Sequence, residues 1–248
     1  MKFALFFLQK AAKLTMALGV LAFCTTVVEA QNNFHVFPQF ADGRFNDGTY
    51  YRMALNILPW LDTDPANCSL NLYGMKATFE GGSSVSVFPI NIPAGGFAAP
   101  RTTGQQQFQG GYGTLSCDVR VYATAVYTYH AANGAKIGEA TVLSSEEVFW
   151  FTRFIADHRD GARLGVAIAN DTDMQHTYKI SATVNGAVRT NQFVVPAGKN
   201  VGKFIDELIQ FPSGTVTWLE IEALDQSYFY GVGLRFTGGV FTTIPIQN

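Results

Sequence analysis

Apolar and polar residues alternate with a period of two along most of the chain. Leu115, Cys117, Val119, Val121 and Ala123 alternate with Ser116, Asp118, Arg120, Tyr122 and Thr124. Tyr178, Ile180, Ala182 and Val184 alternate with Lys179, Ser181 and Thr183, and Leu164, Val166 and Ile168 with small residues. Successive side chains of a strand point to opposite faces, so this pattern predicts half-buried β-strands. Turn signals separate them: Asp47-Gly48, Asp160-Gly161, Asn133-Gly134 and, as the clearest two-residue hairpin, Asn185-Gly186. Strands at such short intervals, with almost no helical period, point to antiparallel sandwiches rather than βαβ units. Phe204, Leu208 and Phe211, at i, i+4 and i+7, predict one short helical connection. Ser144 and Glu147 have capping-box spacing, but the aromatic, β-favouring run Phe149–Ile155 predicts a strand instead.

The strand pattern recurs. Phe37-Pro-Gln-Phe40-Ala41-Asp42 and the later Asp47-Gly48 correspond to Phe151-Thr-Arg-Phe154-Ile-Ala156-Asp157 and Asp160-Gly161. Arg52–Ile57 then corresponds to Arg163–Ile168, Ile92-Pro93-Ala94-Gly95 to Val195-Pro196-Ala197-Gly198, Gly113-Thr114 to Gly214-Thr215, and Val126–Tyr129 to Val232–Phe236. Ordered agreement in several blocks predicts an internal repeat. The expected fold is all-β: two tandem antiparallel Ig-like β-sandwich domains, residues 31–144 and 145–248, with Phe37/Phe151, Asp42/Asp157, Pro93/Pro196 and Gly113/Gly214 in matching places. No Pro/Ser/Gly-rich tether separates the halves, so they are expected to pack rigidly through an apolar interface that includes some of Phe149, Trp150, Phe151 and Phe154. Binding would then fall on an outer face or at loop tips.

Residues 1–30 read differently. Lys2, Lys10 and Lys13 precede an apolar run from Leu14 to Phe23, and Val28-Glu29-Ala30 offers small residues around a cut after Ala30. This is the layout of a secretory signal peptide. The run is short of the ~20 residues that span a bilayer, and Phe23 is too bulky for lipoprotein processing at Cys24. Removing these residues takes Lys+Arg from 17 to 14 and Asp+Glu from 19 to 18, a net charge of −4. That leaves no excess for nucleic acid, and no membrane span is expected in the mature chain. Cys68 and Cys117 remain, each in the apolar phase of its strand. In an exported protein they predict one structural disulfide, buried free thiols being the alternative.

The stretch His35–Gly43, with Phe37-Pro-Gln-Phe-Ala-Asp, and the stretch Gly233-Leu-Arg-Phe-Thr-Gly-Gly-Val-Phe-Thr-Thr-Ile-Pro245 resemble a group of uncharacterised secreted bacterial proteins. These are similarly built of two all-β halves behind a signal peptide. The resemblance spans nearly the whole mature chain, implies export and a bacterial source, and brings no functional residues with it.

Candidate chemistry is sparse. Asp157-His158-Arg159-Asp160-Gly161-Ala-Arg163 is the densest polar cluster, with His158 as a base oriented by Asp157 or Asp160. The matching segment around Asp42 and Asp47 has the acids and the glycine but no histidine, so both read as turns. Calcium-loop spacing fails, because Arg44 stands at the third position and Asp47 where the loop needs Gly. His35, His130, His158 and His176 lack zinc spacing, and no serine-nucleophile or phosphate-loop motif occurs. No catalytic residue, metal or cofactor is therefore assigned. Tyr50, Tyr51, Tyr73, Tyr112, Tyr122, Tyr127, Tyr129, Tyr228 and Tyr230 include several expected on outer faces. There they either pair across strands or serve a ligand. The reading is an exported, non-enzymatic structural or interaction module of the bacterial envelope or extracellular space. Its expected partner is a protein or a glycan; a carbohydrate- or protein-ligand module using exposed tyrosines is the second reading, and a hydrolase between the halves the third.

Overall fold

The alternating segments of the sequence become strands because each hides one face and wets the other. The computed structural model describes residues 33–61, 63–238 and 240–246. The expected signal peptide of residues 1–30 lies outside the described residues. Strands β1 to β9 are Phe34–Arg44, Tyr50–Pro59, Ala66–Tyr73, Ala77–Thr78, Ser84–Val85, Val87–Ile92, Gln109–Cys117, Val121–His130 and Lys136–Leu143. Strands β10 to β18 are Glu147–Phe149, Phe151–Asp157, Arg163–Asn170, His176–Val184, Ala187–Val195, Lys199–Phe204, Val216–Ala223, Tyr228–Thr237 and Val240–Pro245. One helical turn, α1 (Ile205–Leu208), stands inside the predicted helical stretch. Among the described residues no helix is long and apolar enough to cross a membrane.

The fold is all-β and sandwich-like, with every strand ladder antiparallel. In the first half β6-β3-β7-β1 forms one layer and β2-β8-β9 the other. Strand β1 belongs to both: it pairs with β7 from Phe34 to Asp42, bulges between Phe37 and Phe40, and meets β2 at Gly43 and Arg44. Phe37, Leu55, Ile57, Leu70 and Leu115 fill the core between them. In the second half one layer is β11-β16-β13-β14 and the other is β17-β12-β15, with β10 and β18 also on β17. Its core holds Leu164, Ile168, Tyr178, Ile180, Leu219 and Phe229. The strand expected over Phe149–Ile155 is two strands. The chain changes layer at Trp150, whose φ of 51° is a left-handed kink.

One pairing scheme serves both halves. The order β6-β3-β7-β1 repeats as β14-β13-β16-β11, and β2-β8-β9 as β12-β17-β18. Even the irregular partner recurs: Ala98 and Arg101 bridge Ile57 and Ala54, while Val201 and Phe204 of β15 face Ile168 and Gly165. The match of Arg52–Ile57 with Arg163–Ile168 therefore agrees with the ladders, as does that of Pro93 with Pro196.

Four other matches slip, and in the first of them Val126 falls on Leu234 rather than on Val232, since Val126 faces Ala54 and Leu234 faces Gly165. With Ala66 facing Ile92 and His176 facing Val195, Gly113 falls on Leu219 and Phe37 on Phe154, since Phe37 faces Gly113 and Phe154 faces Leu219. Phe37 is thus not the counterpart of Phe151. Gly214 sits in the turn before β16 with φ of 78°, and Gly113 lies mid-strand beneath the Phe40 ring. The β1 bulge adds one residue, so Asp42 falls on His158 rather than on Asp157. Asp42 faces Gln109, and the His158 amide bonds the carbonyl of Thr215 at the corresponding place.

Candidate functional site

Strand β12 determines where the halves meet. Leu164, Val166 and Ile168 face the second core, while Gly165, Ala167 and Ala169 turn the other way. Seven of its eight residues are buried, so both faces are covered. The small-residue face lets the first half come close, and Ala167, Val232, Leu234 and Phe241 join the first core. Polar contacts pin this seam. Tyr112 Oη donates to Asp171 Oδ1 at 2.8 Å, and Asn200 Nδ2 donates to the carbonyls of Pro38 and Gly111 at 2.9 Å each. Thr243 Oγ1 donates to the Thr141 carbonyl at 2.6 Å.

The expected aromatics are not the seam. Phe149 is 65% exposed and Trp150 37%, and Phe154 is buried in the second core. They lie on β10, on β11 and at the kink between them, whereas the face that meets the first half is built by β12, β15, β17 and β18.

A cavity of about 350 Å³ opens along the seam. One wall is Tyr51, Phe108 and Tyr127 of the first half, and the other is Phe204, Phe236 and Phe241 of the second. Gly165 and Ala167 line it between the two walls, where the Phe236 ring packs close over Gly165. The rings brace one another: Phe204–Phe236 centroids are 5.2 Å apart, Phe236–Phe241 5.0 Å and Tyr127–Phe241 5.8 Å. Phe45 stacks behind Phe108 at 4.2 Å. Tyr127 Oη donates to the Gln39 carbonyl, which takes its polar end out of play. Burial, with Tyr129 alongside, pushes the Tyr51 phenol up to about 12, so it stays a neutral donor at ordinary pH. Charge is confined to the rim, at Lys203 and Glu207. This hollow lies away from the outer faces and loop tips to which the sequence pointed, because its two walls come from segments far apart in the chain.

The residues singled out in the sequence are dispersed. Cys68 and Cys117 face each other across β3 and β7 and are joined as a disulfide, with Cα atoms 4.0 Å apart. Of the nine tyrosines, Tyr122 and Tyr228 are exposed, while Tyr50, Tyr112 and Tyr127 are buried. Tyr112 does point out of its own sheet, but β12 covers it.

His158 is buried, and its Nε2 accepts the Leu164 amide at 2.8 Å. Burial pushes its pKa down, and the neutral ring carries its proton on Nδ1. No acid orients it: Asp157 is bound to Arg159 through the amide, Nε and a terminal nitrogen. Asp47 caps Thr49, while Asp42 is buried and accepts from Thr102 Oγ1 at 2.5 Å, so these two acids never converge.

One constellation escaped the sequence. His176 Nε2 lies 2.8 Å from Thr172 Oγ1, and its Nδ1 lies 2.5 Å from Asp225 Oδ2. The hydroxyl also bonds Asn170 Oδ1 at 2.7 Å and the Met174 carbonyl at 3.0 Å. Its proton therefore has acceptors inside the 170–176 turn, and the group ties that turn to the one at Asp225. Thr172 and His176, four apart, were the available signal; Asp225 was not. Among the described residues no three His, Cys, Asp or Glu side chains gather as metal ligands would. No protein-family model matches the sequence, and no curated protein matches it.

Proposed function

We propose that the protein is an exported, non-enzymatic binding module made of two copies of one Ig-like sandwich, residues 31–144 and 145–248, that holds a small, mainly apolar ligand in the cleft between them. The carrying observation is the aromatic cleft itself. A hollow of this size, lined by rings with charge only at its rim, suits a ligand with an apolar or ring face and one polar end near Lys203 and Glu207. A sugar needs many buried hydrogen-bonding groups, which this lining lacks. Neither does the lining pair a nucleophile with a base, which favours binding over hydrolysis. Export rests on the signal-like segment 1–30 and agrees with a disulfide, which persists in oxidising compartments. The repeat rests on the shared pairing scheme, and the likeness to two-half secreted bacterial proteins points the same way.

The test is displacement of a fluorescent apolar probe by aromatic and acyl compounds, compared with Ala167→Leu. Ala167 lines the hollow, so Leu there brings apolar atoms into it. Probe binding that survives Ala167→Leu unchanged would refute the cleft. A second reading, a glycan platform, has one observation in its favour: Trp60 and Tyr122, both exposed, with ring centroids 5.2 Å apart. Loss of glycan-array signal in Trp60→Ala would favour it.

A further inference from the structure

Strand β14 ends its sheet and pairs on one side only, with β13. It runs nine residues without Pro, Gly or bulge and carries a single charge, Arg189. Every residue from Ala187 to Gln192 is exposed. Long, flat edge strands of this kind invite another strand, and soluble proteins usually interrupt them. The first half does so at the corresponding place. There β6 is six residues long and carries Pro89 opposite Ser69, where β14 carries Gln192 opposite Lys179. Proline removes the donor that an incoming strand would use.

The outward groups can be identified. The Gln192 amide is turned away from β13 and is held by Asn191 Oδ1 at 2.8 Å. In an antiparallel ladder the outward groups alternate, so Val188, Thr190, Gln192 and Val194 direct both amide and carbonyl away from the sheet. A two-fold axis through Asn191 sets Val188 opposite Val194 and Thr190 opposite Gln192, all at hydrogen-bonded positions. Any other register leaves one of the four unpaired. The same axis brings together Val188 and Val194, exposed by 69% and 45%, and sets Arg189 opposite the Phe193 ring.

We propose that β14 is an interface for a second copy of this chain, joined edge to edge through antiparallel β14 strands about Asn191 into one continuous sheet. The contact is isologous and closes on itself, as two-fold interfaces do. It is independent of the cleft.

Sedimentation of the purified full-length protein, with its disulfide intact, tests this over a concentration series. The expected result is a monomer–dimer equilibrium that Gln192→Pro abolishes while the melting temperature stays unchanged, because the Gln192 amide is outside the β13 ladder. Asn191→Cys should cross-link to itself under mild oxidation at least ten times faster than Ala187→Cys. Asn191 Nδ2 also donates to the Leu208 carbonyl at 2.7 Å; should loss of that bond unfold the Asn191→Cys variant, Val188→Cys and Val194→Cys should cross-link only when mixed. A protein that stays monomeric up to about 100 µM, well above micromolar dissociation constants, overturns the proposal. So does a dimer that survives Gln192→Pro, or a cross-linking pattern centred elsewhere; either would point to another edge or to a foreign strand as the occupant.

Discussion

In the first half the two middle strands of one layer, β3 and β7, end their ladder where Cys68 faces Cys117, and at the same place in the second half Tyr178 faces Ala223. One half holds its middle strands by a covalent bond, the other by a ring seated over a methyl. Tyr178 is fully buried between Phe193 and Phe229, and among the described residues its hydroxyl has no hydrogen-bond partner. The outer faces differ as well. The β1-β7 face of the first half is covered by β12 and its neighbours, whereas the β11-β16-β13-β14 face of the second leaves Ile155, Trp218 and Val188 exposed. A pairing scheme thus leaves open both how its middle strands are secured and which face meets a neighbour.

The largest effect should come from the non-covalent pair. Tyr178→Ala leaves a cavity in the second core and should cost about 3–5 kcal/mol, read by chemical denaturation. Tyr178→Phe removes only the unpartnered hydroxyl and should be neutral or slightly stabilising. A large loss in the phenylalanine variant would mean that the hydroxyl has a partner and that the contrast between the halves is false. Next, Cys68→Ala with Cys117→Ala should cost about 2–4 kcal/mol, since the bridge closes a loop with a sequence separation of 49. Hydrogen exchange should then rise in β3 and β7 before it rises in β13 and β16. Uniform acceleration would show that the halves unfold as one unit and share their stability.

The seam gives a smaller effect. Gly138 of β9 lies against Val240 of β18, and a Cβ there would run into the valine side chain. Gly138→Leu should cost about 1–3 kcal/mol by overpacking and expose the amides of β18, while the first core keeps its protection. If β18 stays protected, the C-terminal strand is not what docks the second half on the first.

The strands and the α1 turn were legible because alternation and turn residues are local. The register between the halves was not. Phe37 and Phe40 are three apart, as are Phe151 and Phe154, so sliding one motif by three residues preserves half the match. The β1 bulge then adds a residue and sets Asp42 on His158, one place past the Asp157 that the motif offers. Ladder partners such as Gly113 and Leu219 settle it, and no short motif contains them. The seam had a readable trace in Gly165, Ala167 and Ala169, a strand face of small residues that invites close approach. The bulky, aromatic Phe149–Phe154 run drew attention instead, and most of it stays at the surface. The cleft had no such trace, because Tyr51 and Phe236 meet only in the folded chain.

The finest contrast is electrostatic and concerns the two aspartates that the sequence aligned. Asp42 is buried, and desolvation raises its pKa above 3.8 despite bonds from Thr102, the Gly104 amide and Gln106. A raised folded-state pKa means that its contribution is most favourable below 3.8 and is lost as pH rises through the folded value. Asp157 is the reverse. Hydrogen bonds from the Arg159 side chain and amide hold its carboxyl well below the usual range, so its contribution is present above 3.8 and is lost as pH falls through the depressed value. Asp157 is only partly exposed, but its partner Arg159 stands in solvent, so screening keeps this below about 1 kcal/mol. Relative to wild type, Asp42→Asn should therefore gain stability as pH rises from 4 towards neutrality, and Asp157→Asn should lose its deficit only on acidification below 4. Denaturation midpoints measured across that range check both. Parallel curves for the two variants would mean that the aspartates sit in equivalent environments, and the electrostatic contrast between the halves would then be wrong.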